Sequence, residues 1–190
     1  LNPIRRNRSR EFLKFMQAFA LNGDDIGRDD PDRDQSGTSA GHYLIVTHEN
    51  CLEYAVPFIE WRRKAGYKVD ILSIDEQTAM NPAQVKEIIQ NTYDDYIEEG
   101  IDPFDQILLI GDRDDYQVGV DAQWILQSER GVSAWGGIDH ADYLYACLEG
   151  RDHHPDAGIS RWSSGSEDLM RLAIGRTLAY EVEPEMEDRD

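Results

Sequence analysis

Cysteine is nearly absent from this chain: Cys51 and Cys147 are the only two in 190 residues. Two thiols cannot build the disulfide framework of a small secreted scaffold, and they say little about the redox compartment. No apolar run approaches the ~18 residues that a bilayer-spanning helix needs, so no membrane span is predicted. Basic residues are scarce too: 19 Lys plus Arg stand against 38 Asp plus Glu, for a net charge of −19. Such an acidic surface repels phosphate backbones and anionic headgroups, which excludes nucleic acid and anionic membrane as partners. Divalent cations and basic substrates remain admissible. No internal repeat is present. The acidic bias fits a salt-rich habitat and a GC-rich genome equally well.

What is present suits one globular domain, or one domain with a tail. The chain is 40% hydrophobic, enough for a core at this length. It begins at Leu1 and ends in the acidic "EVEPEMEDRD". Both ends read as cuts from a longer polypeptide, before which a signal peptide would be invisible.

Three regions follow from the pattern. Residues 1–22 read as an amphipathic helix: Phe12, Phe15, Met16 and Phe19 recur at helical spacing before Gly23. Its Arg-rich start (Arg5, Arg6, Arg8, Arg10) resembles the basic end of a targeting helix, against the plainer reading of a helix docked on a body. Residues 23–41 are acid, Gly, Ser and Pro with a single Ile, a flexible linker. Within it "DRDQSG" imitates the start of an EF-hand loop through Asp32, Asp34, Ser36 and Gly37. The position that needs a bidentate acid is Tyr43, so the imitation fails.

Residues 42–190 read as the ordered α/β unit. "HYLIVTH" is a buried strand, "CLEYAVPFIEWRRKAG" a helix with an awkward Pro57, and "YKVDILSI" a second strand. "NPAQVKEIIQNTYDDYIEEG" is the clearest helix, capped by Asn81 with Pro82 in its first turn. Its inner stripe is Val85, Ile88, Ile89, Thr92, Tyr93, Tyr96 and Ile97. "FDQILLIGD" is a third strand. β-α-β-α-β predicts a three-layer α/β fold: a mostly parallel sheet with helices on both faces. An irregular stretch then runs to about Asp139. "ADYLYACLEG" and "DAGISRW" read as two further short strands. A last helix starts near Ser164, with Leu169, Leu172, Ala173 and Tyr180 inward.

Several residues can carry chemistry. Asp112 ends the third strand, where open α/β sheets bind ligands, and can equally cap a loop. Cys51 follows His48 at a helix start, where a thiol can be activated; the plainer reading is a part-buried Cys. His140 and Cys147, seven apart on one expected strand, face opposite ways and make a poor pair. The stretch "EGRDHHPDAGISRW" concentrates two acids and two histidines. Zinc would call on His153 and His154 with His140 or Cys147, but adjacent histidines rarely share an ion and no CxxC or HxxxH occurs. Calcium would take carboxylates from Asp152 and Asp156, loop carbonyls, and a third carboxylate from Asp112. A solvated acidic turn explains the same residues.

Taken together, "YLIVTHENCLEYAVPFIEWRRKAGYKVDIL", "NPAQVKEIIQNTYDDYIEEGIDPFDQILLIGD", "HADYLYACLEGRDHHPDAGISRWS" and "EDLMRLAIGRTLAYE" resemble the amino-terminal half of the gingipain catalytic domain. The resemblance spans Tyr43 to Glu181. It implies a caspase-like α/β fold, here the first of two side-by-side subdomains, in a secreted or cell-surface cysteine endopeptidase. Peptide or protein substrate would be engaged through the second subdomain, which carries the nucleophilic Cys and its His in a Gly-His-Gly-type turn. The only Gly-His here, Gly41-His42, precedes a strand. No catalytic residue is therefore expected in this chain. The resemblance also implies a structural calcium held by the side chains of Asp112, Asp152 and Asp156 and the carbonyls of Glu149 and His154. This sequence departs from the family pattern in having Asp156 for Glu, Pro155 beside it, Ser160 for Gly, and a longer insertion around Gln117 to Asp139. The rival expectation is a non-catalytic α/β binding or interaction module.

Overall fold

The computed structural model describes residues 40–112, 126–127, 130–132, 138–150 and 152–182. The expected helix over 1–22 and most of the linker over 23–41 lie outside the described residues. Four strands form one parallel sheet: β1 (His42–His48), β2 (Lys68–Ile74), β3 (Gln106–Ile110) and β6 (Gly158–Trp162), in the order β2-β1-β3-β6. Every neighbour pair is parallel. The central strands β1 and β3 have neighbours on both sides, and their apolar runs "YLIV" and "ILLI" are what a strand covered on both faces requires.

The strand order dictates where the helices go. Helix α1 (Leu52–Lys64) carries the chain outward from β1 to β2. Two helices, α2 (Glu76–Ala79) and α3 (Pro82–Glu98), carry it back past β1 to β3. Right-handed crossovers of opposite direction fall on opposite faces. The core accordingly divides in two. Leu44, Val46, Ile107 and Leu109 pack with Val85, Ile89 and Tyr93 of α3. Ile45, Leu108 and Ile110 pack with Ala55, Phe58 and Ile59 of α1 and with Met170 and Ile174 of α4 (Glu167–Val182). The expected three-layer α/β architecture is thus observed, and the expected stripe of α3 lines the core.

Local signals explain the element ends. Asn81 Oδ1 accepts the Gln84 amide at 3.4 Å, with Pro82 at the first helical position. Pro57 lies inside α1 without setting its start, which falls at Leu52 after a short 3-10 turn, Glu49–Cys51. Gly111, at φ 142°, takes a backbone conformation that a side chain would strain, and so turns the chain sharply out of β3.

Three expectations are corrected. "ADYLYACLEG" is no strand: Asp142–Ala146 is a 3-10 helix, so His140 and Cys147 do not share a strand. Tertiary contacts decide this. Arg161 pairs with Asp142, and the Lys86 ammonium donates to the carbonyls of Tyr145 (3.4 Å) and Cys147 (2.7 Å). Within the stretch expected to be irregular, β4 (Arg130–Val132) and β5 (Ile138–His140) form a separate antiparallel pair. The last helix starts at Glu167, where Ser166 Oγ accepts the Leu169 amide at 3.4 Å. Its buried residues are Met170 and Ile174, whereas Leu169, Leu172 and Tyr180, expected inward, face solvent.

Candidate functional site

The strand order reverses between β1 and β3, so their carboxyl ends form the crevice where open α/β sheets bind ligands. His48 closes β1 there and is buried. Its Nδ1 accepts the Asn50 amide at 3.1 Å, which leaves the proton on Nε2, a buried nitrogen without a hydrogen-bond partner among the described residues. Burial lowers its pKa, against the opposing pull of Glu49, Glu76 and Asp75. Asp112, half-buried, stands at the end of β3 as expected, and its carbonyl accepts the Leu126 amide at 2.6 Å.

Neither cysteine is an activated nucleophile. Cys51 is fully buried at the start of α1, and burial pushes its thiol up to about 11. The helix dipole that could have lowered it is outweighed by desolvation. Cys147 is half-buried, its Sγ 3.5 Å from the Tyr143 carbonyl, and burial raises its pKa as well.

At the other end of the sheet lies the loop Glu149 to Asp156. Asp156 Oδ2 accepts the amides of Leu148 and Glu149, both at 2.7 Å, and pins the loop before β6. Glu149 Oε1 accepts the Tyr93 hydroxyl at 2.9 Å, tying the same loop to α3. Asp152 is exposed, its Oδ1 accepting the His154 amide at 3.0 Å. His153 and His154 point to solvent.

The register separates the five residues expected at one ion. Ile110 is level with Trp162 and Gln106 with Gly158. The levels of Asp112 and Asp156 are therefore separated by at least the four residue steps of β6, about 13 Å at the rise of a parallel strand. One calcium, with ligands about 2.4 Å away, cannot reach both. The structure brings Glu149, Asp152, His154 and Asp156 together in one loop and holds Asp112 apart. Among the described residues no three His, Cys, Asp or Glu side chains gather where they could hold a metal ion. The loop retains an oxygen donor set that suits calcium in kind, two carboxylates with backbone carbonyls, but not the three carboxylates that the resemblance implied.

Sequence reading passed over Arg161. It runs through the middle of the construction on β6, its side chain 8% exposed. Nη1 donates to the carbonyls of Gly111 (2.9 Å) and Leu126 (2.7 Å), while Nε and Nη2 engage Asp142. One guanidinium thus joins the ends of β3 and β6 to the 3-10 helix. The available signal was a lone Arg inside a short strand beside an otherwise apolar sheet.

Comparison with known proteins agrees with this fold. The chain is 25% identical over 149 residues to gingipain R2 of Porphyromonas gingivalis, covering 78% of this chain and 18% of that protein. It is 26% identical over the same length to gingipain R1 of the same species, covering 13% of it. The chain thus spans less than a fifth of the length of these relatives. A solved structure titled "Structure of Protease" superposes with a TM-score of 0.61 at 23% identity, covering 74% of this chain and 28% of that one. The Arg-specific cysteine proteinase gingipain R superposes with a TM-score of 0.56 at 18% identity, covering 76% and 29%. At these identities the superpositions establish the fold, a gingipain-type α/β sheet. The profile of peptidase family C25 matches residues 37–189, most of the chain, and on that match this chain belongs to peptidase family C25.

Proposed function

We propose that residues 42–190 form the amino-terminal α/β subdomain of a gingipain-like cysteine endopeptidase, a scaffold rather than the seat of the chemistry. The observation that carries this reading is the state of the thiols. Cys51 is sealed in the core with its thiol raised to about 11, and Cys147 is raised too, in a chain whose fold matches about 29% of a cysteine proteinase. In the whole enzyme a thiolate attacks the scissile carbonyl and an imidazolium protonates the leaving amine. Here the sheet would buttress the partner subdomain that carries both groups and engages protein or peptide substrate. By the same likeness the enzyme would work outside the cell or at its surface. No helix among the described residues is long and apolar enough to cross a membrane.

The 190-residue chain should hydrolyse no fluorogenic peptide amide. Turnover that a thiol alkylator abolishes and Cys51→Ala removes would overturn the reading. In the longer polypeptide, a Gly-His-Gly turn and a strand ending in Cys after Asp190 would support it; their absence would favour a non-catalytic binding module.

Calcium enters this reading at the loop alone. Asp152 and Asp156 would supply carboxylates, and Glu149 and His154 their carbonyls, to an ion that stiffens the turn into β6. Asp112 takes no part in the arrangement described.

A further inference from the structure

We propose that the outward face of α4 is the docking surface for this chain's own amino-terminal segment, residues 11–21. Helix α4 is apolar on two faces. Met170, Ile174 and Leu178 turn inward onto the core beside α1. On the opposite side Leu169, Leu172 and Tyr180 are 55%, 46% and 73% exposed. With Arg176 they fall at steps of three and four residues, one continuous row along the helix. Single exposed apolar residues are ordinary on a protein surface. A row of three large ones on a helix already packed by its other face is a surface with something to cover it.

The segment supplies a matching face. Phe12, Phe15, Met16 and Phe19 share one side if the segment is helical. Residues 1–22 hold five basic side chains (Arg5, Arg6, Arg8, Arg10, Lys14) against the single acid Glu11, in a chain of net charge −19. Within residues 11–21 Lys14 and Glu11 cancel, so the attraction to the acidic body comes from the four Arg just ahead of the stretch, whereas a second copy would bring −19 against −19 and be repelled.

The geometry of the connection agrees. Helices α1 and α4 lie side by side and run the same way: Arg171 sits over Tyr54, and Glu181 accepts from Trp61 Nε1 (2.8 Å) and from Arg62. The chain joins the body at the same end of this pair, where the Ala40 amide donates to the Gly66 carbonyl at 3.2 Å just past α1. From there the connection back to residue 21 is long enough, at roughly 3.3 Å per residue, to reach any point along α4, about 24 Å in length.

Amide hydrogen exchange on the full 190-residue chain tests this. Peptides covering residues 12–19 should exchange at least tenfold more slowly than an unstructured chain. That protection should vanish in the double variant Leu172→Lys/Tyr180→Lys, and equally in Phe15→Ser. Protection of β1 and β3 should persist in both, since the altered side chains face solvent or belong to the segment. An unprotected segment in the parent overturns the proposal, as does protection that survives both variants. A sedimenting dimer that the α4 variant dissolves would place a second copy on this face and overturn it too.

Discussion

Arg161 grips Asp142 with two prongs, Nε to Oδ2 at 2.8 Å and Nη2 to Oδ1 at 2.7 Å, with the guanidinium out of water. The pair fastens a 3-10 helix to a strand 19 residues later. Removing one member strands the other, along with the carbonyls of Gly111 and Leu126. Asp142 keeps 28% of its side chain exposed, so Arg161→Met should destabilise by about 1–3 kcal/mol, the usual cost of leaving buried acceptors unpaired. The double variant Arg161→Met/Asp142→Leu should recover part of that loss. Thermal melts of the three proteins check it; a single variant that melts with the parent would show the pair contributes nothing.

His42 makes stability depend on pH. Its Nε2 lies 2.6 Å from Asp70 Oδ2, and Tyr96 donates to the same oxygen. Nδ1 is buried and, among the described residues, has only the nearby Asp102 carbonyl for company, short of hydrogen-bond geometry. Burial lowers the His42 pKa below 6.5; the hydrogen bond to Asp70 and the nearby Asp102 carbonyl oppose this, and Lys68 adds to it. The remaining charged group at the site, Asp105, accepts the His42 amide at 3.0 Å. Burial alone would raise Asp70, but the Tyr96 and His42 hydrogen bonds outweigh it and leave its pKa lowered. The unfolded chain thus binds the imidazole proton more readily than the folded one. Stability from this group is complete above pH 6.5 and is lost as pH falls below it; the Asp70 contribution is lost only below the ordinary Asp range near 3.8. His42→Gln, which keeps a donor but does not titrate, should melt with a flatter pH dependence between 7.5 and 5.5. An unchanged slope would remove His42 from the account.

Both thiols should react slowly while the fold is intact. A pKa of about 11 leaves about one Cys51 thiol in a thousand ionised at pH 8, before access is considered. Mass spectrometry after timed alkylation should find half-buried Cys147 modified first and Cys51 only on unfolding. Rapid labelling of Cys51 in folded protein would contradict its burial.

Calcium binding at the Glu149 to Asp156 loop should raise the melting midpoint, by about 2.7 kcal/mol of stability at a hundredfold excess over the dissociation constant. Asp152→Asn should lose most of the effect, whereas Asp112→Asn, at the far end of the sheet, should keep it. A midpoint that calcium and chelator leave unmoved would retire the ion. A zinc effect removed by His153→Ala would assign the loop to the histidines.

Much of this molecule could be read along the chain because its signals are local. Apolar runs of strand length, the Asn81 cap with Pro82 behind it, and the 3.6-residue stripe from Val85 to Ile97 each depend on residues within a few positions of one another. Alternating strands and helices then imply a parallel sheet, since short right-handed crossovers allow little else. The structure decided what depends on partners distant in sequence. "ADYLYA" has the look of a strand, but Arg161 and Lys86 hold it as a 3-10 helix. Helix α4 offers two apolar faces, and periodicity cannot say which is inward; packing against α1 chose Met170 and Ile174 over Leu169 and Leu172. Asp112, Asp152 and Asp156 look like one ligand set when read by residue type. Strand register alone places Asp112 at one end of the sheet and the loop at the other, because parallel pairing sends the end of β3 and the start of β6 to opposite edges.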